Sequence, residues 1–410
     1  MAGQGRGTGR RAIRRAAGLI LAAALLASGC TAGQASDTSV RDIQRTLDGR
    51  AAAVLGHDEN AYLAALAPEA ARLRTAQRQE FRNLADVPLR SWEYRLGTVQ
   101  RHGTRAVAEA ELRYRIQGYD TAPVTASRTL ELAERDGRWY VTAERARTGG
   151  QQLWQQGDVR VVRGERSLIL AVGQSGEQLK ALAATADRAV PAVSDAWPSA
   201  WARRLVVLVP ASLDAMGKLL DAPAAGYRGI AAVTTGETGA AGTAPADRVI
   251  VNPEAYGVLG DFGRSVVLTH ETTHVATRAY TSAATPMWLS EGFADWVAYR
   301  GRGRTAGQTA PELQGAVRRG EVPAALPSDA DFAFGSDADR LARAYEGGWL
   351  ACELIAARWG EEKLTAFYRA VGAGEQRAGA VEKALADVLG TTPRDFTVRW
   401  REYLRERLAR

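Results

Sequence analysis

The sequence predicts an α+β protein of two units, and three observations carry that prediction. Helix-period apolar spacing over residues 40–66 gives way to four runs of period-two alternation ending near residue 144. After Gly149-Gly150 the pattern restarts, with short apolar strands interleaved with helices up to residue 252. From residue 339 to 408 the chain reads as helices alone. A chain of 410 residues accommodates about two domains of ordinary size.

The beginning of the chain reads as a leader. Residues 1–15 are arginine-rich, residues 16–27 are apolar and too few to span a bilayer, and Ala27-Ser28-Gly29-Cys30 follows. Small residues before a cysteine resemble the bacterial lipobox. That resemblance implies a signal peptide over 1–29, a diacylated Cys30 and a tether over 30–39. The expected location is extracytoplasmic, on the outer face of a bacterial cell membrane. Two acyl chains give lasting attachment where one would be marginal. Of the formal charge of +7, five units come from arginines ahead of Cys30, which leaves +2. A nucleic-acid partner therefore loses its electrostatic support. The other cysteine, Cys352, lies in an apolar helical run and reads as a buried structural thiol.

In the first unit, residues 40–150, the helical segment breaks near Gly56. The strands follow at 91–100, 105–117, 124–134 and 138–144. Asp136-Gly137 is a hairpin turn between the last two. Helices followed by a long antiparallel meander resemble the nuclear transport factor two-like α+β cone over about residues 38–147. Such cones serve as ligand pockets, enzymes and scaffolds alike, so the resemblance implies no chemistry. His57 and His102 read as surface histidines.

In the second unit, residues 155–410, a hairpin is expected at 159–162 and 167–172. A helix over 178–197 follows, then a strand over 205–209 ended by Pro210. Next come a helix over 212–220 and a strand over 230–233. Residues 234–246 have no periodicity and read as a mobile loop, a plain connection in preference to a lid, and 247–252 as a further strand.

The decisive segment is His270-Glu271-Thr272-Thr273-His274, which holds half of the four histidines. Residues four apart on a helix share one face, so both imidazoles reach a single ion, and neutral imidazole suits zinc. Glu271 projects beside that face, where it can take a proton from water. Thr285-Pro286 reads as a helix start, with Thr285 as N-cap and Pro286 as first helical residue. That helix carries Glu291, and the 16 intervening residues let it turn back to the ion as third ligand. Two histidines and a carboxylate with one position open form a catalytic zinc arrangement rather than a structural one. Asp295, four residues beyond Glu291, is expected to accept the other ring N–H of His270.

Together with Trp288-Leu289-Ser290-Glu291-Gly292-Phe293-Ala294-Asp295, this motif resembles the gluzincins, the peptidase MA-like zinc metallopeptidases. The resemblance covers about residues 155–405. It implies a zincin-type domain, a small mixed sheet plus helices, with Zn2+ on His270, His274 and Glu291 and with Glu271 as general base and acid. It also implies that an edge strand, placed at 248–252, pairs with an extended peptide. Helices at 339–359, 361–371, 378–389 and 393–408 fit that domain. Family members often stabilise the oxyanion with a downstream tyrosine. Tyr345 is the best-placed candidate, ahead of Tyr280 and Tyr299.

The expected function is that of a membrane-anchored zinc metallopeptidase acting on a peptide or protein substrate. The alternative is a non-catalytic lipoprotein scaffold or ligand-binding protein with an idle zinc domain. Cleavage specificity and oligomeric state are not encoded in any motif of the chain.

Overall fold

The computed structural model describes residues 37–147, 150–235, 247–333 and 337–409. The leader, Cys30, the tether up to residue 36 and most of the connection at 234–246 lie outside the described residues.

Helix α1 (Asp37–Leu55) begins inside the expected tether, because Ile43, Leu47 and Val54 give it a buried stripe. It is separated by the Gly56-His57 break from α2 (Glu59–Ala64), where Asp58 accepts the Ala61 N–H at 2.9 Å. Helix α3 (Ala71–Asn83) was not expected, since its apolar residues are few. Tertiary contacts hold it: Leu73 and Phe81 join the core, and the Asn83 amide donates to the Trp154 carbonyl at 2.6 Å.

Strands β1 (Leu89–His102), β2 (Arg105–Ile116), β3 (Val124–Arg135) and β4 (Arg138–Ala146) form an antiparallel meander in that order. Their bounds fall within two residues of the predicted runs. Asp136 and Gly137 both adopt positive φ, 50° and 74°, as a two-residue hairpin turn requires. Arg50 of α1 is buried between helices and sheet, donating to Glu144, the Tyr62 hydroxyl and Gln77.

The second sheet has the order β5-β6-β7-β9-β8. It contains β5 (Arg160–Arg163), β6 (Ser167–Ala171), β7 (Leu205–Val209), β8 (Ala232–Thr235) and β9 (Arg248–Val251). Strands β6, β7 and β9 run parallel, and β5 and β8 close the two sides antiparallel. Helix α4 (Gly176–Ala196) crosses between β6 and β7, and α5 (Leu213–Leu220) follows β7. The expected edge strand is therefore corrected: β9 is an inner strand and β8 is the edge. All four residues of β9 are buried, which demands a neighbour on both sides. Three of the four in β8 are half-buried and two of those are threonines, a composition suited to an edge.

The remainder is helical: α6 (Pro253–Gly257), α7 (Asp261–Thr277), α8 (Met287–Tyr299), α9 (Ala306–Thr309), α10 (Pro311–Arg318), α11 (Ala338–Trp359), α12 (Glu361–Gly372), α13 (Ala380–Leu389) and α14 (Pro393–Leu408). Helices α9 and α10 had no counterpart in the sequence reading. The helical core gathers Trp197, Trp288, Phe293, Leu350, Phe367 and Trp400. Cys352 is fully buried within it, and burial pushes its thiol well above the ordinary range.

Apolar packing runs unbroken through residue 150. Leu153, Trp154, Leu168 and Val206 share one cluster with Trp92 and Tyr114 of the meander. Trp154 meets Tyr114 edge-on at 5.1 Å. A buried bidentate ion pair, with both contacts at 2.7 Å, joins Asp120 after β2 to Arg248 of β9.

Candidate metal centre

Helix α7 presents both histidines despite a polar sequence, because its threonine hydroxyls are satisfied internally. Thr269, Thr272, Thr273 and Thr277 each donate to the carbonyl four residues earlier, at 2.6–2.9 Å. These threonines bury at little cost while Leu268 and Ala276 pack inward. The face left over carries His270 and His274, whose rings stand 4.8 Å apart and nearly perpendicular.

Helix α8 returns Glu291, the third candidate ligand, but its start differs from the expectation. Pro286 is the N-cap rather than the first helical residue, and Thr285 does not cap. The Thr285 hydroxyl is already committed to the Ser282 N–H at 3.2 Å. Asp329, far along the chain, accepts the Met287 N–H at 2.9 Å instead. The cap therefore ties the helix bearing Glu291 to the segment leading into α11.

His270 Nε2, His274 Nε2 and Glu291 Oε2 form a near-equilateral triangle with sides of 3.0, 3.1 and 3.3 Å. Vertices of a tetrahedron around zinc at bonds of about 2.0–2.1 Å stand about 3.3–3.4 Å apart, so three of four positions are matched. His270 Nδ1 lies 2.8 Å from Asp295 Oδ1. That contact assigns the ring proton to Nδ1 and turns the Nε2 lone pair toward Glu291 and His274.

Such a triangle of lone pairs calls for a cation. Burial opposes charge on His270, yet Asp295 and Glu291 outweigh it and hold its pKa well above the ordinary histidine range. Burial likewise opposes charge on Glu291, and His274 and His270 reverse that, holding its carboxyl well below the usual range. Both shifts report one field, which a divalent metal would satisfy better than a proton.

Comparison with known proteins adds little. No family model matches the chain, and no curated protein matches it. Among solved structures, a mutant of a two-domain M1 zinc metallopeptidase bound to L-tryptophan is similar at 15% identity and a TM-score of 0.31. The match covers 73% of this chain and 61% of that one. The site and its setting, a small mixed sheet and helices bearing His-Glu-x-x-His and a downstream glutamate placed so that they could hold a metal, are consistent with a zincin-like catalytic domain.

The other expected residues fall at different distances from the triangle. Glu271 is buried on α7, and its Oε2 accepts from the Thr234 hydroxyl of β8 at 2.6 Å. Tyr345 of α11 sets its ring 6.4 Å from that of His270 and packs edge-on against Phe332 at 5.2 Å. Burial, then Glu291, Asp295 and Glu271, push its phenol far above the ordinary tyrosine range, so it remains a hydrogen-bond donor. Tyr299 stands behind Asp295, where burial and that carboxylate push its phenol up to about 12. Tyr280 is engaged by Trp197 at 5.4 Å and by the Arg369 guanidinium.

Three residues escaped the sequence reading. Thr234 appeared only as the first residue of an aperiodic stretch, and no local signal marks a hydroxyl whose partner is 37 residues away. Tyr368 of α12 braces the end of α7, its hydroxyl 2.8 Å from Thr281 Oγ1 and 3.4 Å from Thr277 Oγ1. Arg278, just past α7, donates to Asp247 Oδ1 at 2.9 Å.

Proposed function

We propose that this protein is a zinc-dependent peptidase, tethered outside the cell by lipid on Cys30 and carrying its catalytic unit behind a nuclear transport factor two-like cone. The observation that carries the catalytic reading is the His270–His274–Glu291 triangle with Glu271 and Tyr345 beside it. The lipid anchor is supported by the leader sequence alone.

When bound, zinc would lower the pKa of water toward about 7 and polarise the scissile carbonyl. Glu271 accepts the proton of the attacking water and returns it to the leaving amine. Thr234 fixes one oxygen of that carboxylate, leaving the other for the proton. The Tyr345 phenol, kept protonated by its surroundings, donates to the carbonyl oxygen as negative charge develops there. Asp295 keeps His270 in the liganding tautomer. Edge strand β8, directly beside Glu271, offers backbone groups to an extended substrate.

Elemental mass spectrometry of the mature chain tests the centre, beside a His270→Ala control. One zinc per chain that is lost in the control, with cleavage of a peptide library abolished by Glu271→Gln, is the expected result. Absence of metal after zinc is offered at neutral pH would remove the reading. Fatty-acid labelling of wild type against Cys30→Ser tests the anchor separately.

A further inference from the structure

Behind His270 lies a cavity of about 350 Å³ that the ligand triangle does not use. Asp295 and Tyr345, both adjoining His270, line it together with Tyr299, Leu341, Glu346 and Trp349. The helical period explains the lining. Asp295 and Tyr299 are four apart on α8, and Leu341, Tyr345 and Trp349 follow at steps of four on α11. Two facing stripes thus flank one open pocket beside His270.

The chemistry of the walls is selective. Three are aromatic, two are carboxylates, and among the described residues no lysine, arginine or histidine lines it. Glu346 is held in place by the backbone N–H groups of Glu312 and Leu313 at the start of α10, at 3.2 and 2.5 Å. Aromatic faces beside fixed carboxylates attract a cation carried on an apolar stem and repel an anion. Burial pushes Glu346 up to about 7, so an entering cation would also draw it into its charged form.

We propose that this cavity is the subsite that receives a lysine or arginine side chain flanking the scissile bond of the substrate. The inference rests on the zinc-peptidase reading, whose substrate class it narrows to peptides with a basic residue near the cleavage point.

Binding to the zinc-loaded Glu271→Gln protein tests it without requiring turnover. Alanine pentapeptides carrying arginine, norleucine or glutamate in turn at each position would be titrated calorimetrically. At one position arginine should bind at least tenfold tighter than norleucine, with glutamate weaker than both. Glu346→Gln should cut the arginine-to-norleucine ratio about fivefold while zinc content stays at one per chain. Leu341→Arg, which places an internal cation at the half-buried rim, should cut it as much and guards against a folding effect of the first variant. Equal binding of the three peptides, no binding, or a ratio untouched by both variants would overturn the subsite. If wild type binds with this preference but hydrolyses nothing, the peptidase reading fails and the subsite stands. If it hydrolyses without preference, the reverse holds.

Discussion

The backbones of Gly292 and Gly348 meet where α8 crosses α11. A Cβ added at Gly292 would fall 2.3 Å from both the carbonyl carbon and oxygen of Gly348, and one added at Gly348 would sit 2.7 Å from the Trp288 oxygen. Gly292 follows the candidate ligand Glu291, and Gly348 lies three residues past Tyr345. This crossing sets how closely the acidic ligand and the tyrosine approach. Gly292→Ala must push the helices apart. It is expected to cost about 3 kcal/mol or more in urea unfolding and to weaken zinc binding together with stability. A variant with unchanged urea midpoint and zinc affinity would show that the crossing has slack.

Glu271 is the only glutamate on α7, next in sequence to His270, and its Oε2 is held by the Thr234 hydroxyl. Glu271→Gln should retain one zinc per chain and lose peptide hydrolysis by about 10²–10⁴-fold. Activity near wild type in a zinc-loaded preparation would exclude it as the base.

Asp295 acts through His270 and touches no substrate atom at the reacting centre. Asp295→Asn should lower zinc affinity about 10–100-fold in a competition titration with a chelating dye. It should also release the His270 ring tautomer, visible in nitrogen NMR of the metal-free protein. Zinc affinity equal to wild type would show that the Nδ1 contact is dispensable.

Tyr345→Phe should reduce kcat about tenfold to a hundredfold with little change in KM, because the phenol's hydrogen bond strengthens only as charge develops on the carbonyl oxygen. A rise in KM at constant kcat would instead make the tyrosine a binding group.

Glu346 gives a pH dependence of stability. Its carboxyl shifts from an ordinary 4.5 up to about 7 on folding, mainly through burial. The folded chain therefore binds this proton more tightly than the unfolded chain. Stability falls as pH rises from about 4.5 to 7 and is level beyond. Allowing for partial exposure, the change is on the order of 2 kcal/mol. Glu346→Gln should remove it, so the variant gains on wild type between pH 5 and 7.5 in zinc-free urea titrations. A difference constant with pH would contradict the shift.

Much of the centre was legible because its ligands are written in local spacing. His270 and His274 are one helical turn apart, and Glu291 and Asp295 repeat that interval on the next helix, so helix geometry alone pairs them. The meander was legible for a similar reason, since period-two alternation marks each strand and Asp136-Gly137 marks a turn. Helix α3 was not, because residues such as Asn83 and Gln77 are held by partners distant in sequence.

The sequence by itself determined most of the elements and set His270 with His274, and Glu291 with Asp295, on shared helix faces, for these depend on interactions within a turn or two of chain. Only the tertiary structure decided that β8 rather than β9 is the edge, that Thr234 holds Glu271, and that Asp329 starts α8. The Gly292–Gly348 crossing and the cavity behind His270 belong to the same group. Each is a contact between segments far apart in the chain, selected by burial and hydrogen-bond satisfaction across the whole fold, and no local periodicity records which distant partner a strand, hydroxyl or glycine will meet.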